Sequence, residues 1–155
     1  MKTLMVAIVM LSATTVKKCC KSINPFMYSA WYRGVTPSGI IDAGYPTFPR
    51  FYCDINKDGI PDYGRVVGNF PSDRYLSFAL GKSDGRWQEY GYSTPKGFDM
   101  GYLSPEPFLA DVNNDGYLDY VRGVGNPGTY KLLALPGTKD GFGGPQIEVG
   151  SFAPH

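Results

Sequence analysis

A chain of 155 residues with a formal charge of +1 and a pI near 7.6 carries no electrostatic footprint for nucleic acid, since no basic run exceeds Lys17, Lys18 and Lys21. Its length suits one modest domain, and 20 Gly with 13 Pro break it too often for long helices, favouring short strands joined by turns. Three cysteines are too few for a disulfide framework.

Residues 1–22 begin with Lys2 and an apolar run from Leu4 to Leu11. That layout is a secretory signal peptide, or else a retained, Val- and Ile-rich strand that serves assembly. It falls short of the roughly 20 apolar residues of a membrane-spanning helix, so no transmembrane segment is expected. Either reading places the protein outside the cytosol, secreted or at the cell surface. Cys19 and Cys20 are adjacent and badly placed to bridge each other, leaving Cys53 or a second chain as the alternatives, while Cys53 itself reads as a small buried side chain.

Residues 23–155 form the domain, and it repeats. Two units run from about 31 to 87 and from about 88 to 144, followed by a closing strand at 145–152. MYSAWYRGV (27–35) resembles the last strand of a unit. Asp42-Ala-Gly-Tyr45 matches Asp99-Met-Gly-Tyr102, and the paired aspartates, Asp42 and Asp99, suit turn or cap roles. A strand then leads through Phe51 or Phe108 into the acidic loops CDINKDGIPD (53–62) and ADVNNDGYLD (110–119). YGRVVG or YVRGVG gives a second strand, and YLSFAL or YKLLAL a third that mixes apolar and polar positions as a half-buried strand would. Asp-Gly turns at 84–85 and 140–141 lead into fourth strands, WQEYGYS and QIEVGSF. The expected fold is all-β: two tandem four-stranded antiparallel blades, like those of a β-propeller.

Each loop has the form D-x-N-x-D-G-x-x-D, with Asp54, Asn56, Asp58 and Asp62 in one copy and Asp111, Asn113, Asp115 and Asp119 in the other. Alternate side-chain oxygens point inward, the glycine permits a bend with φ above zero, and the next residue, Ile60 or Tyr117, offers its carbonyl. Five such groups with water approach the roughly six to eight oxygens that Ca²⁺ takes. Two Ca²⁺ sites are therefore expected; no His or Cys is among the ligands, which argues against zinc. The competing reading is an Asx-rich turn that satisfies only its own backbone. An EF-hand would need an acid at position 12 and a following helix, yet Arg65 and Arg122 stand there before glycine-containing strands.

The loop, the strands around it and the closing Asp84-Gly85-Arg86-Trp87 or Asp140-Gly141-Phe142 together resemble the FG-GAP/VCBS repeat, the calcium-binding blade of integrin-α-type β-propellers. The resemblance implies blades of four strands, structural calcium, an extracellular setting, and roles in adhesion or glycan binding. Closed propellers use roughly four to eight blades, so a ring cannot close within one such chain.

No catalytic motif is present, and the single histidine, His155, is terminal; the chain is expected not to be an enzyme. Two functions fit. One is an extracellular structural subunit that self-associates into a filament or ring, a homopolymer or homo-oligomer built through strand or blade contacts. The other is a secreted lectin-like or adhesive module, with Trp31, Trp87, Tyr90 and Tyr92 as candidate glycan-stacking residues that would otherwise pack between blades.

Overall fold

The computed structural model describes residues 44–69, 72–102, 106–126 and 129–152. The N-terminal segment, the strand-like stretch 27–35, Cys19, Cys20, Trp31, Asp42 and His155 lie outside these residues. Among the described residues the regular elements are all strands. In the first sheet β1 (Phe51–Cys53), β2 (Asp62–Val67), β3 (Tyr75–Gly81) and β4 (Trp87–Ser93) lie antiparallel in chain order. The second sheet pairs β5 (Phe108–Ala110), β6 (Asp119–Val124), β7 (Tyr130–Leu135) and, last, β10 (Ile147–Phe152), again antiparallel. Neither sheet closes into a barrel, and the two four-stranded blades match the expected fold class.

Two details depart from the expected strand pattern. Asp140-Gly141 does not open the fourth strand of the second blade. It belongs to a small extra hairpin, β8 (Gly137–Thr138) with β9 (Gly141–Phe142), inserted before β10. In the first blade the turn at Lys82–Arg86 is tight, with the Lys82 N–H donating to the Arg86 carbonyl at 3.0 Å, and β4 follows at once. Second, YLSFAL is not half-buried. Leu76, Ser77, Phe78 and Ala79 are all fully buried, because both faces of the first sheet are covered. Its counterpart β7 is only partly buried, with Tyr130 to Leu133 partly or fully exposed and Ala134 and Leu135 buried.

The pleat explains how the sheets meet. Phe51 and Cys53 point to one side of β1 and Tyr52 to the other. The face bearing Phe51, Cys53, Leu76 and Phe78 packs against the face of the second sheet that bears Leu109, Tyr120 and Leu135. Phe51 meets Tyr120 edge-on with centroids 6.3 Å apart. Phe142, carried in by the extra hairpin, meets Tyr92 at 4.9 Å and Phe78 at 6.2 Å. The Tyr92 hydroxyl donates to the Thr138 carbonyl at 2.6 Å and accepts from the Thr138 N–H at 3.1 Å, tying β4 to β8.

The two outer faces are the repeat-equivalents of the two that meet, and Tyr63, Ala79, Val121 and Ala134 on them are buried as well. Tyr52, Tyr63 and Ala79, with Trp87 beside them, form a cluster on the far side of the first sheet; they occupy the repeat positions of Leu109, Tyr120 and Leu135. On the far side of the second sheet Ala110, Val112, Leu132 and Ala134 cluster, and these stand where Cys53, Ile55, Leu76 and Phe78 stand in the first unit. The blades thus succeed one another by a single repeated step, face to back. Cover is lost along that step: Phe51 is 3% exposed and its equivalent Phe108 38%.

The repeated Gly-Tyr motif braces each blade. The Tyr45 N–H donates to the Val66 carbonyl and the Tyr102 N–H to that of Gly123, both at 2.9 Å. Their hydroxyls donate to the carbonyls of Gly68 and Gly125. Asp99 takes the Gly101 N–H at 2.9 Å, the turn role expected of it.

Candidate metal loops

Each acidic loop connects the first two strands of its blade, and the two are built bond for bond alike. In the first, the Asp58 N–H is shared between Asp54 Oδ1 at 3.0 Å and Asn56 Oδ1 at 3.1 Å. The Gly59 N–H goes to Asp54 Oδ2 and the Ile60 N–H to Asp58 Oδ1, both at 2.8 Å. In the second, the Asp115 N–H is shared between Asp111 Oδ1 at 3.2 Å and Asn113 Oδ1 at 3.0 Å. The N–H groups of Gly116 and Tyr117 go to Asp111 Oδ2 and Asp115 Oδ1, both at 2.8 Å. Gly59 and Gly116 take φ of 85° and 88°, the bend the pattern requires.

The loop therefore satisfies its own backbone, as an Asx turn does. Among the described residues the ion pairs are Arg86–Asp84, Lys131–Glu148 and Lys139–Asp140, none of which involves a loop aspartate. Nor does any group of three His, Cys, Asp or Glu side chains gather at one point among these residues. Beyond its carboxylates, a cation would draw on Asn56 or Asn113 and on the carbonyls of Ile60 or Tyr117, the neutral oxygens of the pattern. Hard oxygen donors of this kind suit Ca²⁺.

The last aspartate of each loop has a second task. Asp62 and Asp119 are 0% exposed. Asp62 accepts from the Ile55 N–H through one oxygen and from the Gly81 N–H through the other, both at 2.8 Å. Asp119 repeats this with Val112 and Gly137, also at 2.8 Å. Asp62 thus staples the start of its loop to the end of β3, and Asp119 the start of its loop to the first residue of β8. Gly81 and Gly137 are there because nothing larger fits: a Cβ would stand 2.4 Å from the Pro61 carbonyl oxygen in one and 2.2 Å from that of Leu118 in the other. Burial pushes both carboxyls above their ordinary range, against the pull of the backbone donors. The neighbouring charges add to the rise, from Asp58 on Asp62 and from Asp115 and Asp111 on Asp119.

The loops also touch each other. Lys57 places its ammonium 3.7 Å from the centroid of the Tyr117 ring.

Two arginines matter more than their sequence context suggested. Arg65 and Arg122, noted above only as breaking the EF-hand pattern, are buried in β2 and β6. The Arg65 guanidinium donates to the Ser77 carbonyl at 3.3 Å. That of Arg122 lies 4.2 Å over the Phe98 ring and donates to Gln146 at 3.0 Å. Their recurrence at the same repeat position was the available signal. Of the aromatic candidates, Tyr92 is 2% exposed and committed to packing between the blades. Trp87 is half-buried, edge-on to Tyr63 at 6.4 Å, and Tyr90 lies within β4. Cys53 is buried, the place expected of it.

Residues 54–121 match the family model described as an FG-GAP-like repeat. The matched stretch begins at the first aspartate of one loop and ends just past the last aspartate of the other. No curated protein and no solved structure matches the chain.

Proposed function

We propose, from the FG-GAP-like repeat at residues 54–121, that this chain is an extracellular, calcium-stabilised structural subunit that associates with copies of itself. The observation that carries the reading is the face-to-back step from the first blade to the second, together with the 38% exposure of Phe108 on the outer side of the second. The outer side of the first sheet is equivalent to the back half of the internal contact and that of the second to the front half. A head-to-tail contact that reuses the internal geometry joins them, and it yields a ring if the rotation closes or a filament if it does not.

Calcium would be held by Asp54, Asn56, Asp58, Asp62 and the Ile60 carbonyl, and by Asp111, Asn113, Asp115, Asp119 and the Tyr117 carbonyl. Its chemistry here is neutralisation. Each loop carries three aspartates, and the charges on Asp58, Asp111 and Asp115 already act on the buried Asp62 and Asp119. A bound dication removes that repulsion and fixes the link between the first two strands. The glycan-binding alternative is weakened because Tyr92, one of its stacking candidates, has no free ring face to offer.

Removal of calcium with EGTA is expected to lower the melting temperature, and Asp58→Ala combined with Asp115→Ala to lower it as far with no further response to EGTA. At a hundredfold excess of calcium over Kd, each occupied site contributes about 2.7 kcal/mol. A melting curve indifferent to EGTA would sink the metal assignment. Association has its own test. Phe108→Lys changes a residue already 38% exposed, so it should leave the melting temperature nearly unchanged while converting oligomers to monomers in size-exclusion with light scattering. A wild-type chain that elutes as a monomer at high concentration and is retained on a glycan array would favour the adhesive module instead.

A further inference from the structure

Lys57 has no backbone reason to be a lysine. It sits at φ 65°, and its repeat-equivalent Asn114 sits at φ 60°. Asparagine tolerates this left-handed region better than lysine does. What lysine supplies is reach and charge: the ammonium lies over the Tyr117 ring at 3.7 Å and 3.0 Å from where a Cβ on Gly116 would stand. Gly116 and Tyr117 are the bend of the second loop, between Asp115 and Asp119. The second loop sends nothing comparable onward, because Asn114 is short and uncharged. A ring face attracts an ammonium without neutralising it, so a positive charge stands beside the loop that would receive a dication.

We propose that Lys57 makes the two loops unequal and coupled: carried by the first loop to the Gly116–Tyr117 bend, its ammonium lowers the affinity of the second loop for a divalent cation. This rests on the calcium reading above. A cation in the first loop orders the turn that carries Lys57 and so holds the ammonium in place, which makes the coupling negative. By linkage, filling the second loop weakens the first by the same factor. The effect is electrostatic and should weaken as salt shortens the Debye length, about 8 Å at physiological ionic strength.

Terbium(III) luminescence on the full chain, excited through tyrosine, tests it. Tyr117 is the donor built into the second loop, and loss of its emission in Tyr117→Phe assigns that site; displacement by calcium then gives the calcium affinity. Lys57→Asn installs the sister residue at a conformation it accepts. It is expected to keep the wild-type circular dichroism and to raise the second-loop affinity roughly three- to tenfold. Lys57→Met, which keeps the stem and drops the charge, should show the same rise, and Lys57→Arg should show none. Unchanged second-loop affinity in both Lys57→Asn and Lys57→Met, with terbium still bound, overturns the coupling and leaves the calcium assignment standing. A rise with Asn but not with Met traces the effect to backbone strain and overturns it equally. If none of the proteins binds terbium, both readings fall together.

Discussion

Asp62→Ala is expected to lower the free energy of unfolding by about 2–5 kcal/mol, and Asp119→Ala by a similar amount. Each change removes a fully buried carboxylate that takes two backbone N–H groups, those of Ile55 and Gly81 in one blade and of Val112 and Gly137 in the other. The orphaned donors lie where water does not replace the lost acceptor. The experiment is urea unfolding with EGTA present throughout, so that loss of a metal ligand is excluded from the measurement. Under those conditions Asp58→Ala should cost far less, since its carboxylate accepts from the Ile60 N–H and the Asn56 amide in exposed bonds. The contrast separates the stapling role of the ninth loop position from its role as a ligand. Equal costs for Asp58→Ala and Asp62→Ala in EGTA would show that the staple contributes nothing of its own.

Phe78→Ala should cost about 3–5 kcal/mol, the range for truncating a large ring in a closed core. Phe78 is fully buried at the meeting of the two blades. Its ring lies against Phe51, Tyr92 and Phe142, with centroids 6.4, 6.2 and 6.2 Å away. It also covers Gly64, where even a Cβ would come within 2.5 Å of Cζ. Because the ring joins both sheets, the loss is expected to appear as a drop in the urea midpoint with an unchanged slope. A slope that falls instead, with two separate transitions, would mean that the blades fold independently and that their contact adds little. The second blade carries Ala134 at the equivalent position, so enlarging that residue is a different experiment and fills no equivalent space.

Much of this was legible before any coordinates, and the reasons differ by element. The loops were readable because their chemistry is local: oxygens at alternate positions, a glycine at the bend, and a second copy to guard against coincidence. The strand cores YLSFAL, WQEYGYS and QIEVGSF fell within a residue or two of Tyr75–Gly81, Trp87–Ser93 and Ile147–Phe152, since turn residues bound each run. Burial on both sides of β3 was hidden, because Ser77 and Ala79 look like a solvent face unless it is known that another layer lies behind them. The extra hairpin at Gly137–Phe142 was masked by the Asp-Gly dipeptide it shares with the simple turn at 84–85. Arg65 and Arg122 recur at one repeat position, but their burial against Tyr63 and Phe98 depends on packing that no local pattern encodes. The reach of Lys57 to Tyr117 joins two loops far apart in the chain, and no local pattern encodes it.

The face-to-back succession of the blades also bears on how such a chain can lengthen. A mirror-related pair would spend its matching surfaces on each other, and any third module would need a contact invented for it. Here every module carries both a plug and a socket, so tandem duplication of the gene segment delivers a ready-made junction together with each new copy. Variation in module number, rather than in module design, is then the least demanding route by which relatives of this chain acquire different sizes.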